Sequence, residues 1–296
     1  MTKPRVAILG LGLMGGGMAG RLIGEGFTVA VYNRTPEKAQ AFGRQGARVC
    51  ATPRDAAAGA EVIISMLADD AASRGAWLGE SGALAGAAAG TLLVESSTLS
   101  TAWVAELAAA AAARGCELID APVTGSKPQA AAGQLLFLAG GSDAAIERAR
   151  PVLSVLGRDV VRLGPVGSGA LVKLINNFVC GVQLVALAEA VALIERTDLD
   201  AARTLAVLTE GAPGSPLVKV LSQRMTARDY TPNFRLKLMA KDLKYAIDEA
   251  GAHSVALATA RAALETVRSA AEAGHAEQDL SSVVELLRSS QQRPVA

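Results

Sequence analysis

The chain is 296 residues long, with 51% hydrophobic and 19% charged residues, a balance that places it among globular proteins and excludes a disordered or low-complexity chain. A net charge of +1 provides no field to hold nucleic acid or an acidic membrane surface, so neither is expected as a partner and a small molecule is.

In chain order, Val6-Ala7-Ile8-Leu9 is a short apolar run ending at Gly10, the pattern of a buried parallel strand. A helix is expected over 15–23, then a strand over 28–32. Thr35-Pro36-Glu37 opens another helix, with Thr at the N-cap and Pro at the first helical position. Further strands are expected at 62–65, 92–95, 117–119, 135–138 and 160–163, with helical stretches between them. This alternation predicts an α/β fold, a Rossmann-type doubly wound parallel sheet. The character changes at Gly164-Pro165-Val166-Gly167-Ser168-Gly169. Beyond it no strand pattern is visible. A helix over 170–196 is apolar on most sides, and more helices are expected at 200–209, 215–225, 238–250, 254–272 and 279–288. The reading is thus an N-terminal Rossmann domain over 1–164 and an all-helical C-terminal domain over 165–296, joined by the long helix. A helix apolar all round needs cover on several sides, which a second subunit would give. The isolated Cys50, Cys116 and Cys180 have no metal-ligand spacing, so no metal site is expected. With no signal-peptide pattern, and with apolar stretches broken before they could span a bilayer, the expected location is cytoplasmic, with no membrane partner.

Gly10-Leu11-Gly12-Leu13-Met14-Gly15 is a G-x-G-x-x-G run directly after a strand and before a helix. The first glycine allows the tight turn, the second lets backbone approach a pyrophosphate, and the third permits close helix–strand packing, with the helix N-terminus facing the phosphate charge. The end of the second strand, where a site for NAD(H) carries Asp or Glu against the ribose hydroxyls, reads Asn33-Arg34-Thr35. No carboxylate there repels a 2′-phosphate, and guanidinium, amide and hydroxyl can all donate to one. The expected cofactor is NADP(H).

A hydride-transfer enzyme also needs a proton donor. Tyr32, Tyr230 and Tyr245 are followed four positions later by Pro36, Phe234 and Glu249, so a Tyr-x-x-x-Lys pair is excluded. His253 and His275 lie among small or polar residues near the C-terminus and read as surface side chains. Lysine becomes the candidate.

Four blocks then resemble the β-hydroxyacid dehydrogenase family, which includes 3-hydroxyisobutyrate dehydrogenases, tartronate semialdehyde reductases and glyoxylate/succinic semialdehyde reductases. They are the glycine run with Met18-Ala19 after it, Asp120-Ala121-Pro122-Val123-Thr124-Gly125-Ser126, Gly164-x-x-Gly167-x-Gly169-x-x-x-Lys173-x-x-x-Asn177, and Lys241-Asp242-Leu243. The resemblance implies that Lys173 is the general acid or base and that Asn177 orients it. It implies that Thr124, Gly125 and Ser126 bind a substrate carboxylate, and that Thr98, Leu67 and Lys241 contact the cofactor. It also implies a homodimer or homotetramer. Thr124 stands where the family usually has Ser, and Ser126 where many members have a second Gly. Lys127-Pro128-Gln129-Ala130 and Gly133-Gln134-Leu135 are closer to the glyoxylate/succinic semialdehyde reductases, which implies NADPH-dependent reduction of a small aldehyde acid. The alternatives are a 3-hydroxyisobutyrate or related β-hydroxyacid dehydrogenase, an imine reductase-like enzyme, and a non-catalytic NADP-binding module. Lys173 weighs against the last two.

Overall fold

The computed structural model describes residues 3–289, and its contacts divide the chain into a first unit ending at Lys173 and a second beginning at Leu174. The first unit is built on nine strands: β1 (Val6–Leu9), β2 (Val29–Tyr32), β3 (Arg48–Val49), β4 (Val62–Ser65), β5 (Leu92–Glu95), β6 (Glu117–Asp120), β7 (Val123–Thr124), β8 (Leu135–Gly140) and β9 (Gly157–Gly164). The sheet order is β3-β2-β1-β4-β5-β6-β8-β7, with β9 on β8. From β3 across to β6 every pairing is parallel. The chain therefore winds outward from β1 in one direction and from β4 in the other, which leaves a switch point at the carboxyl ends of β1 and β4, where ligands of such sheets bind.

Period-two alternation explains why the strands read as unbroken apolar runs. Val6 and Ile8 face one buried cluster with Val31, Ile64, Val94, Met18 and Leu153. Ala7 and Leu9 face the other, with Ile63, Leu93, Trp77, Trp103 and Leu107. The covering helices of the first unit are α1 (Leu13–Gly24), α2 (Pro36–Gly43), α3 (Pro53–Ala57), α4 (Asp70–Trp77), α5 (Ala83–Gly86), α6 (Thr101–Ala112), α7 (Lys127–Ala132) and α8 (Asp143–Leu156).

Several details of this unit differ from the sequence reading. Helix α1 starts at Leu13, two residues early. Strand β3 is a pair of exposed residues recruited to the sheet edge by backbone bonds alone. Val123–Thr124, where no strand is expected, form β7 ahead of α7, and β7 runs antiparallel to β8, as β6 does. This end of the sheet is therefore mixed.

Helix α9 (Ser168–Ile194) runs from the first unit into the second. It is long and apolar enough to cross a membrane by length and composition, contrary to the reading that the apolar stretches are too broken. Its 184–191 stretch, however, lies in the core of the second unit, as a core helix does. Leu184, Leu187, Ala188 and Val191 pack there with residues of α11 (Pro216–Ala227), α12 (Leu236–Ala252) and α13 (Ala258–Ala270). Helix α10 (Ala201–Glu210) precedes α11 and buries no residue fully. The helix expected from 254 starts at Ala258 because Ser254 adopts a left-handed φ of 59° and closes α12 instead. The expected terminal helix opens as a 3-10 turn, Leu280–Val283, before α14 (Val284–Ser289). Buried Asp279 sets that turn, accepting from Ser281 N and Oγ, Asn233 N, Phe234 N and Arg224 Nε.

Candidate functional site

The turn between β1 and α1 is packed at its ends and open in its middle. Gly10 has φ 96°, and a Cβ there would lie 2.4 Å from the Met66 carbonyl oxygen. A Cβ on Gly15 would lie 2.0 Å from the Gly10 carbonyl oxygen, so any side chain would force α1 off the strand. A Cβ on Gly12, in contrast, would meet nothing within 4 Å. Gly12 is also the N-cap of α1 and supplies no side-chain cap, so the first-turn amides of Leu13, Met14 and Gly15 are left to a ligand or to water. The open space and the uncapped helix end suit a diphosphate.

Asn33, at the end of β2, ties this turn to its neighbour. Its Oδ1 accepts from Leu11 N at 2.8 Å, and its Nδ2 donates to the Thr35 carbonyl at 2.9 Å. The side-chain amide is thus engaged with backbone, and the exposed groups beside it are Arg34 and Thr35. At the end of β4, the Leu67 amide donates to Ser97 Oγ at 2.8 Å, and a Cβ on Gly10 would lie 2.7 Å from Leu67 Cδ2. Half-buried Thr98 follows Ser97 directly. The fold therefore gathers the glycine turn, Asn33, Arg34, Thr35, Leu67 and Thr98 at the carboxyl ends of β1, β2, β4 and β5.

The second group lies further along the same sheet. Thr124 closes β7, Gly125 has φ 111°, and Ser126 donates through its N–H and hydroxyl to Gln129 Oε1. Gln129 so fastens the first turn of α7. Upstream, Asp120 is fully buried at the end of β6 and holds the start of α9. Its Oδ1 accepts from Gly167 N and its Oδ2 from Ala170 N, each at 2.7 Å. Burial pushes this carboxyl up to about 6, against the amide bonds that lower it. The strand end that leads into Thr124–Ser126 thus also fixes the first turn of the helix that carries Lys173.

Lys173 is 8% exposed and Asn177 3%, and their spacing of one turn puts both on one face of α9. Within the second unit, Asn177 Nδ2 donates to Asp242 Oδ2 at 2.6 Å. Lys241 Nζ lies 2.8 Å from Asp242 Oδ1 and 4.7 Å from the centre of the Tyr245 ring. Asp242 therefore joins the expected Asn177 and Lys241 through one buried carboxylate. The sequence reading gave it no role, although a signal was present. Leu236, Met239, Leu243, Ala246 and Ile247 form the buried face of α12, and Asp242 falls on it. A carboxylate on an apolar face needs partners.

A dinucleotide-binding sheet followed by a helix bearing a buried lysine and asparagine defines a nicotinamide-dinucleotide-dependent oxidoreductase. Residues 5–164 match the model for the NAD-binding domain of 6-phosphogluconate dehydrogenase, and residues 167–287 match that for the NAD-binding region of NADP-dependent 3-hydroxyisobutyrate dehydrogenase. The chain belongs to the β-hydroxyacid dehydrogenase family and is an NAD(P)-dependent enzyme. It is 35% identical to the NAD-dependent L-serine dehydrogenase of Pseudomonas aeruginosa, over 97% of this chain and 99% of that one. Glyoxylate/succinic semialdehyde reductase 1 of Arabidopsis thaliana is 33% identical, over 97% and 99%. Among solved structures, the Mycobacterium tuberculosis 3-hydroxyisobutyrate dehydrogenase with L-serine superposes with a TM-score of 0.87 at 32% identity, covering 97% of this chain and all of that one.

Proposed function

We propose that the protein is an NADPH-dependent reductase of small unbranched aldehyde acids, glyoxylate or succinic semialdehyde, which it converts to hydroxyacids. Residues 1–164 serve as the cofactor domain and 165–296 as the helical substrate and dimerisation domain. The observation that carries this reading is the buried Lys173–Asn177 face of α9, with Asn177 itself fixed by Asp242.

NADP(H) is the cofactor. The open space at Gly12 and the uncapped start of α1 fit its diphosphate, and exposed Arg34 and Thr35 at the end of β2 fit a 2′-phosphate. Bound there, NADPH would supply the hydride for the carbonyl carbon. Lys173 gives its proton to the carbonyl oxygen, and would take one back from the hydroxyl in the oxidative direction. Asn177, held by Asp242, orients Lys173 and the substrate oxygen. Thr124 Oγ1 and the Gly125 amide bind the substrate carboxylate; Ser126, expected to join them, instead gives its N–H and hydroxyl to Gln129 Oε1 and fixes the loop that presents them. The methyl of Thr124 narrows the space near the reacting carbon and disfavours a branch there. Lys241, paired with Asp242, serves the cofactor. Ile175, Val179 and Leu193 of α9 are 50%, 45% and 66% exposed, and a second copy of the chain covers them in a homodimer or homotetramer.

The test is a panel of two- to five-carbon aldehyde acids with NADPH, run beside 3-hydroxyisobutyrate and L-serine with NAD⁺ at one pH. Exclusion of one methyl is worth about 1–3 kcal/mol, so a preference of roughly 10–200-fold for the unbranched substrate is expected. A higher kcat/KM for 3-hydroxyisobutyrate or L-serine with NAD⁺ than for succinic semialdehyde with NADPH sinks the choice and makes the enzyme a β-hydroxyacid dehydrogenase.

A further inference from the structure

Glu95 is a buried acid that neither the carbonyl-side groups nor the glycine turn account for. Glu95, the last residue of β5, is 0% exposed. Its Oε1 accepts from the Ser97 amide at 2.9 Å, and its Oε2 accepts from Ser73 Oγ at 2.7 Å and from Trp77 Nε1 at 2.8 Å. Trp103 Nε1 donates in turn to Ser73 Oγ at 2.9 Å. Both tryptophans of the chain thus end in one buried network.

Two arms of this network reach the segment 66–69, which links β4 to α4. Ser97, whose amide is fixed by Glu95, accepts the Leu67 amide on its Oγ. Ser73 and Trp77 belong to α4 itself, which starts where the segment ends and is capped by Asp69 Oδ1 accepting from Ala72 N. The segment is therefore pinned at its front through Ser97 and from behind through α4. Its Met66 carbonyl and Leu67 side chain are the atoms that close on Gly10.

A buried carboxylate contributes little net stability compared with well-packed apolar side chains, because its desolvation offsets its bonds. What it provides is direction, since every donor must meet a fixed acceptor. We propose that Glu95 is a positioning residue: through Ser97 and α4 it fixes the 66–69 segment against the dinucleotide turn and so preorganises the cofactor site. This rests on the cofactor reading above.

Glu95→Gln keeps the shape but turns one acceptor into a donor. Its NH₂ must then face either the Ser97 amide or the Trp77 indole N–H, neither of which can reverse. Ser97→Ala removes only the hydroxyl that holds Leu67. Trp103→Phe breaks a bond to Ser73 one step removed from the carboxylate and leaves all three bonds to Glu95 in place. Amide hydrogen exchange of the cofactor-free protein reads the positioning directly, and calorimetric titration with NADP⁺ reads its consequence. In Glu95→Gln and Ser97→Ala the Leu67 amide should exchange at least about tenfold faster and NADP⁺ should bind roughly five- to twentyfold more weakly, the scale of one lost hydrogen bond. In Trp103→Phe both should stay within about twofold of the parent. The proposal is overturned if folded Glu95→Gln and Ser97→Ala keep parental Leu67 exchange and NADP⁺ affinity. It is equally overturned if Trp103→Phe weakens NADP⁺ as much as they do, since the network then acts through stability alone. Where Glu95→Gln does not fold, Ser97→Ala decides. A parent protein that fails to bind NADP⁺ refutes the cofactor reading instead, and Leu67 exchange still tests the positioning.

Discussion

Asp120 offers a perturbation whose sign can be worked out in advance. Its carboxyl is fully buried, and burial raises its pKa from 3.8 to about 6. Between those values the folded protein binds a proton that the unfolded chain has released. The group's contribution to stability is therefore fully present below pH 3.8 and is lost as pH rises to about 6. A difference of about two units at 1.36 kcal/mol each gives a loss of about 3 kcal/mol across the window. Asp120→Asn removes the titration. Its side chain keeps one accepting oxygen for Gly167 or Ala170 and presents NH₂ to the other amide, which lowers stability by an amount that does not depend on pH. Urea unfolding of both proteins at steps between pH 4 and 8, followed by tryptophan fluorescence, isolates the effect, because Trp77 and Trp103 lie in the same unit as Asp120. The stability of the parent relative to the variant should fall by up to about 3 kcal/mol from pH 4 to 6 and be flat above. A relative stability that rises with pH refutes the reasoning. It would mean that the Gly167 and Ala170 amides outweigh burial and hold the carboxyl below its ordinary value.

Three further outcomes test the site. Arg34→Ala should raise the KM for NADPH by roughly ten- to a hundredfold and spare that for NADH, the loss of one charge-assisted contact of about 1.5–3 kcal/mol; equal kinetics with the two cofactors in the parent would count against the assignment. Lys173→Ala should leave NADPH affinity nearly intact and lower kcat by about 10²–10⁴, and Lys173→Arg should not restore it, because a guanidinium releases its proton too reluctantly. Retention of most of kcat in Lys173→Ala would move the proton donor elsewhere. Light scattering at micromolar concentration should give a multiple of the monomer mass, and a monomer would leave Ile175, Val179 and Leu193 without the cover proposed for them.

The sequence carried the sheet well wherever side chains report burial. β1, β4 and β5 are apolar on both faces and bounded by turns, so their limits were legible to the residue. β3 was not, because Arg48 and Val49 are exposed and join the sheet through backbone groups that every residue has. β7 was hidden for a related reason: Val123–Thr124 is only two residues long, and its pairing partner Phe137 is fourteen residues away. In the helical half, an alanine-rich composition blurs helix ends. The expected start at 254 overran a left-handed Ser254 that no periodicity marks.

The site shows a more systematic gap. The sequence reading gave roles to groups expected to face a ligand, among them Arg34, Leu67, Thr98, Thr124, Lys173, Asn177 and Lys241. The structure places a buried carboxylate behind three parts of that set. Glu95 bonds the Ser97 amide beside Thr98, Asp120 bonds the first turn of the helix bearing Lys173, and Asp242 bonds Asn177 and Lys241. Segments at the ends of strands have few apolar contacts to fix them, while hydride and proton transfer need donor and acceptor held within a fraction of an ångström. A carboxylate with two oxygens can hold two such segments at once, and burial removes the water that would compete for it. Its own sequence signal is faint, since Glu95, Asp120 and Asp242 each follow or interrupt an apolar pattern as a single charged letter. The informative feature is the conflict itself: a charge where the period calls for an apolar residue, within a few positions of a group with assigned chemistry, marks a side chain that orients rather than reacts.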